Sequence, residues 1–215
     1  AEQISAMTGN QLRSLTTDQI QALTTLQIAS IDTADIGRLE SAQVAALSTS
    51  QVGALTAAQV GAFGNRQLSG LDSAQIAALS EAQLEAIGTS QMRRLTTSQI
   101  QGLTSDQLNF MTSAQFGVLS YDQLRAISTA NIAALSNERI QDFTQTQVRR
   151  LTTTTLQALT TDQIAAFETE DVSSLNRTQL AQLSTSQIAA LTTDQLQVLT
   201  RSELANLTTA QLGAL

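Results

Sequence analysis

Histidine, cysteine, lysine, proline and tryptophan are all missing from the 215 residues. Without His, Cys or Lys, most arrangements of nucleophile and general base cannot be built, so no catalytic residue and no enzyme activity are expected. Without Cys there is neither a disulfide framework nor a thiolate metal centre. Aromatic residues are 3% of the chain, charged residues 13%, and all eleven basic residues are arginine. The net charge of −7, with no basic run and no basic–aromatic interleaving, argues against a nucleic-acid partner. No apolar stretch approaches the length of a membrane span, so no membrane insertion is expected, and no signal peptide is visible. A secreted parent would carry its targeting signal outside this segment.

What is there is a narrow alphabet in strict order, the mark of tandem duplication. A period of eight runs through the chain without an insertion, and Met7 to Ala214 holds 26 complete octads. The consensus is L-[TS]-T-x-Q-[ILV]-x-A. Positions one and six are apolar in all 27 occurrences, and position five is Gln in 21 of 27. The reading is a single continuous octapeptide-repeat solenoid over 1–215. Neither terminal octad differs from the middle, so a segment of a longer array, or a unit stacking end to end, is expected.

Each octad reads as a helix start. Position two is Thr, Ser, Asp, Asn or Gly in 24 of 26 octads, the residues preferred as N-caps. Gln three residues later completes a capping box, and the apolar residues at positions one and six form a hydrophobic staple around it. In Thr16-Thr17-Asp18-Gln19-Ile20, Leu15 is thus expected against Ile20, with Asp18 in the first turn, where the helix dipole favours an anion. A helix interrupted at every octad is far below the roughly 12–15 residues that an isolated helix needs. The octads must therefore stack, with small residues at position eight (Ala46, Ala54, Ala62, Gly70) letting backbones approach. The predicted fold is an all-α solenoid of very short capped helices, one per octad. A β-solenoid turning at Thr-Thr is the rival, but strict alternation is missing, and Gln and Ala are poor strand formers.

A longer period lies inside the short one. A shift of seven octads aligns Arg38 with Arg94 and Arg150, all at position eight, and a further shift reaches Asn206. Position one departs from Leu at Met7, Ile31, Phe63, Ile87, Met111, Phe143 and Phe167, in steps of three or four octads, with Ile127 breaking the series. Both patterns suit about three and a half octads per turn, with seven octads closing two turns. At 1.5 Å per helical and 3.3 Å per extended residue, such a turn is roughly 55 Å around. The alternative is that the seven-octad period records an ancestral duplication with no geometric meaning.

Few residues suggest chemistry. The densest acidic groups are Asp32 with Asp35, and Glu168 with Glu170 and Asp171; the latter reads as a solvated acidic edge or a weak site for a hard cation, and no metal centre and no cofactor is assigned. Arg38, Arg94 and Arg150 form a candidate stripe facing a partner. Asn176 and Asn206 begin N-glycosylation triplets, which are weak signals in a Thr-rich chain. A row of Thr at position three, of the kind that can bind ice, is interrupted by Glu81, Tyr121, Asn137, Arg177 and Arg201.

Octads such as Leu47–Ala54 (LSTSQVGA) and Leu159–Ala166 (LTTDQIAA) resemble tandem tracts in very large secreted bacterial proteins, usually labelled adhesin-like or "heme utilization or adhesion". The resemblance covers the whole chain and rests on the repeat. It implies an extracellular or cell-surface location and a stalk, filament or adhesive role. The partners expected are further copies of the chain, end to end or lateral, or a protein or glycan gripped on one face of the solenoid. No haem ligand carries over, because Met7, Met92 and Met111 are scattered and there is no His or Cys.

Overall fold

The computed structural model describes residues 2–215. Among these the chain forms 27 helices of four to six residues and no strand, one helix per octad, so the helical solenoid is the observed class. Thr49–Ala54 shows the unit. Ser48 is extended (φ −70°, ψ 159°), and its hydroxyl accepts the Gln51 N–H at 3.1 Å. The Gln51 Oε1 accepts the Ser48 N–H in return at 2.8 Å, closing the capping box. Gly64 and Gly88 have no side chain to offer, so only half of the box forms: their N–H groups donate to Gln67 Oε1 and Gln91 Oε1 at 3.0 and 2.6 Å.

Each helix is stopped by the start of the next. Leu55 (φ −58°, ψ 145°) and Thr56 (φ −73°, ψ 155°) are both extended and redirect the chain into Ala57–Gly61. No described residue has a positive φ, so the extended pair makes the turn without a left-handed cap. The apolar positions face inward. Leu47 and Val52 are buried, as are their counterparts in most octads, including Phe63 and Phe116. Burying one such side chain contributes about 1.5–3 kcal/mol, which offsets the weakness of helices this short.

The residues group into two compact units, Ala1–Val118 and Leu119–Leu215. In each, a helix packs on the one three octads further on: Thr25–Ala29 on Thr49–Ala54 and Ser73–Ala77 on Thr97–Gly102 in the first, Thr129–Ala133 on Thr153–Ala158 in the second. Hydrogen bonds reach further. Gln51 Nε2 donates to the carbonyls of Ile20 (3.0 Å), Gln21 (3.3 Å) and Leu23 (2.6 Å), which lie 31, 30 and 28 residues back. A turn is therefore longer than three octads and shorter than four. The step from Gln51 back to the position-one residue Leu23 is three and a half octads. Helices in one turn thus sit across the joints of the turn before.

The seven-octad period then has a geometric meaning, because within a unit two turns return each octad to the same direction. Two series of helices follow it in length, although Asn65–Leu68, Tyr121–Ala126 and Arg177–Ala181, also at steps of seven octads, have four, six and five residues. Thr33–Ile36, Thr89–Met92, Gln145–Val148 and Arg201–Leu204, at steps of seven octads, all have four residues. Thr49–Ala54, Ser105–Phe110 and Thr161–Ala166, also at steps of seven octads, all have six.

Small residues at position eight do admit close approach. A Cβ on Gly70 would lie 2.6 Å from the Ser41 carbonyl oxygen, and one on Gly102 would lie 2.7 Å from the Ser73 Cα. Ser41 and Ser73 each stand just over one turn back.

Candidate functional site

The most regular polar feature is a ladder of glutamine side chains. From Gln43 onward, most glutamines at position five use the oxygen for their own cap and the amide for the preceding turn. Gln59, 1% exposed, accepts the Thr56 N–H at 2.8 Å and donates to Ile28 O at 3.0 Å and Ile31 O at 2.8 Å. In the second unit, Gln195 accepts from Thr192 N at 2.9 Å and donates to Ile164 O at 3.0 Å and Phe167 O at 2.8 Å. An amide suits this place because it carries an acceptor and two donors on one group. The carbonyls it meets lie at the end of a short helix: Ile28 O already accepts the Ile31 N–H at 3.2 Å, so the amide adds a second bond there, while Ile31 O lies beyond the helix end.

The chemistry changes where position five is not Gln. Asp35 is too short for the ladder, and its Oδ1 accepts the Gly9 N–H at 2.7 Å. Asp32 caps its own helix by accepting the Ala34 N–H at 2.8 Å, so these two acids do separate work. Arg139 is almost buried and pairs with Asp142 at 2.5 Å. Thr155 bonds only locally, its hydroxyl 2.9 Å from that of Thr152.

Asp171 is the sharpest departure. It is 3% exposed, yet its Oδ2 has no hydrogen-bond partner. Burial, with Glu168 and Glu170 adding negative charge nearby, pushes its carboxyl from 3.8 up to about 6. Glu168 makes no side-chain cap bond, so this helix, Thr169–Val172, begins without a capping box. Among the described residues no three carboxylates come together so as to hold a metal ion.

Arg38, Arg94 and Arg150, the residues of the expected stripe, are all exposed. Within the first unit Arg66 belongs with them. It lies midway between Arg38 and Arg94, one turn from each, and Arg13, Arg38 and Arg66 line one shallow cleft with Glu40. Arg13 and Glu40 are ion-paired there. An octad alignment hides Arg66, because it occupies position four while Arg38 and Arg94 occupy position eight. The signal that would have found it is a spacing of three and a half octads. In the second unit Arg150 shares a cleft with Arg125, Gln147 and Thr155. The glycosylation triplets fall on structural roles: Asn176 caps a helix by accepting the Gln179 N–H at 3.0 Å, and Asn206 donates to Ser202 O at 2.6 Å. Met92 and Met111 are core residues. Among the described residues no helix is long and apolar enough to cross a membrane.

Three stretches of the chain, 28–65, 84–121 and 164–201, match the family model described as the ALTTAQ repeat, and together they make up just over half of the sequence. The first two begin seven octads apart, the two-turn period. No curated protein matches the chain. With runs such as Ala54–Gln59 (ALTAAQ) and Ala190–Gln195 (ALTTDQ) supplying the cap and the ladder, the chain belongs to the ALTTAQ repeat family.

Proposed function

We propose that this chain is a structural repeat segment of an extracellular or cell-surface bacterial protein. It acts as a stalk or filament-forming spacer that supplies length and stiffness for surface display or adhesion, and it has no catalytic role. The observation that carries this reading is where the polar side chains go. Most glutamines at position five are turned onto the preceding coil and most Ser and Thr hydroxyls at position two onto caps, so few polar groups converge on any one point. An architecture held by contacts between neighbouring turns lengthens by adding octads, because its stability is a sum of local terms. Such a segment suits a part whose purpose is reach.

Electron microscopy of the purified chain, with antibody labelling of intact cells that make the parent protein, tests this. Long narrow particles or concentration-dependent fibres, with label on the outer surface, are expected. Compact particles, or label only after the cells are broken, would sink it. A second reading, a binding module that grips a protein or glycan along one face, is favoured by the unpaired column of Arg38, Arg66 and Arg94. A saturable ligand for monodisperse monomers would select it.

A further inference from the structure

The turn of three and a half octads places ten of the eleven arginines on one side of their own unit. In Ala1–Val118, Arg13, Arg38, Arg66 and Arg94 follow one another about one turn apart, with Arg93 beside Arg94. In Leu119–Leu215, Arg125, Arg149, Arg177 and Arg201 follow at steps of three to three and a half octads, with Arg150 beside Arg149. All ten are exposed. Among the described residues only Arg13 of these ten has an ion-pair partner, Glu40. The eleventh, Arg139, is turned in and bound to Asp142.

The acids sit elsewhere. Half a turn is just under two octads. Glu81 stands close to midway between Arg66 and Arg94, and Asp106 follows Arg94 by one and a half octads. In the second unit Glu138 is close to midway between Arg125 and Arg149, and Asp162 is close to midway between Arg149 and Arg177. Asp194 follows Arg177 by just over two octads. These five acids are exposed. Asp32, Asp35, Glu40, Asp72, Asp122 and Glu203 fall within a quarter turn of the basic side. Five of those are already engaged: Glu40 with Arg13, Asp35 with the Gly9 N–H, Asp32 with the Ala34 N–H at 2.8 Å, Asp72 with the Gln75 N–H at 2.7 Å, and Glu203 with the Thr200 N–H at 2.7 Å.

We propose that each unit carries a basic edge and, half a turn away, an acidic edge, and that the basic edge of one copy docks side by side against the acidic edge of a second copy of this chain. The argument for a second copy is charge complementarity with a matched repeat. Both edges recur about once per turn, roughly every 10 Å at ordinary helix-packing distances, so the same molecule is in register with itself over several turns. Exposed ion pairs are individually weak, and only several in register give a usable contact. An unrelated acidic partner would use the basic edge alone. The contact is heterologous, since different surfaces meet, so it propagates sideways instead of closing as a symmetric dimer.

This goes beyond the spacer reading and does not depend on it, since a spacer whose copies stay single remains a spacer. Sedimentation velocity of the whole chain tests it, at about 20 mM and about 500 mM salt, where screening differs most. The chain should self-associate with concentration at low salt and lose that association at high salt. The variant Arg38→Gln, Arg66→Gln, Arg94→Gln, which leaves the basic edge of the second unit in place, should associate more weakly than the parent, and the further changes Arg125→Gln, Arg149→Gln and Arg177→Gln should leave it monomeric. The variant Glu81→Gln, Asp106→Gln, Glu138→Gln, Asp162→Gln is decisive, because it lowers like-charge repulsion and should still lose association. All these side chains are exposed, and circular dichroism confirms that each variant stays helical. A parent chain that is monomeric at low salt overturns the proposal, and so does an acid-depleted variant that associates more strongly. Monomers that bind added polyglutamate through the basic edge would replace the second copy by an acidic partner and overturn it equally.

Discussion

The side-chain amide of Gln51 lies 2.6 Å from the carbonyl oxygen of Leu23, 28 residues earlier in the chain. That one bond joins a local device, the capping box, to the pitch of the coil. The same glutamine fixes where a helix starts and which part of the preceding turn it rests on.

Gln59 and Gln19 separate the two roles. Both close a capping box, with return bonds from Thr56 and Thr16 at 2.8 and 2.9 Å, but Gln59 also donates to Ile28 and Ile31, while Gln19 is exposed. Glutamate can keep the box, as Glu203 does with Thr200. At position 59 it would set a carboxylate against buried carbonyls. Thermal unfolding should show Gln59→Glu costing about 2 kcal/mol or more at neutral pH, and Gln19→Glu within about 0.5 kcal/mol of the parent. Equal effects would mean that the ladder contributes nothing beyond the cap.

Asp171 makes stability depend on pH. Its carboxyl titrates near 6 in the folded chain and near 3.8 when unfolded, so the folded state holds the proton more tightly. The stabilisation is complete below about 3.8 and is lost as pH rises through 6, by on the order of 2–3 kcal/mol. Asp171→Asn, a neutral isostere, should match the parent near pH 4 and exceed it increasingly towards pH 7. A difference in melting temperature that stays constant over that range would refute this.

Two glycines should respond oppositely to a methyl group. Gly102→Ala would drive a Cβ into the Ser73 backbone, 2.7 Å from its Cα, and should destabilise by about 1–3 kcal/mol. Gly53 lies in Thr49–Ala54, and its added Cβ would come no closer than 3.4 Å, to Ala78 O. There the change should be neutral, or stabilising by up to about 1 kcal/mol through helix propensity. Chemical denaturation of the two variants side by side decides the matter.

Thr155 occupies a ladder position with a side chain that bonds only to Thr152. Thr155→Gln should supply a donor to the carbonyls of Ile127 and Leu124, which hold the corresponding places one turn back in the same unit. A gain of about 0.5–1.5 kcal/mol in unfolding free energy is expected. A loss would show that the cleft beside Arg125 and Gln147 does not admit the longer chain.

Local interactions reach no further than the next few residues, and the octad determines them by itself. The cap at Ser48, the return bond from Gln51 and the buried faces of Leu47 and Val52 are all legible without a structure. So was the half-integral turn, through the steps between Met7, Ile31 and Phe63, although duplication could have left the same trace. Tertiary structure decided what lies beyond one octad. The destination of the Gln51 amide, the orphaned oxygen of Asp171 and the alignment of Arg66 with Arg38 all depend on which residues stand one turn away. A turn of three and a half octads brings position four beside position eight. No comparison of like positions along the sequence can show that, because it arises only when the coil closes on itself.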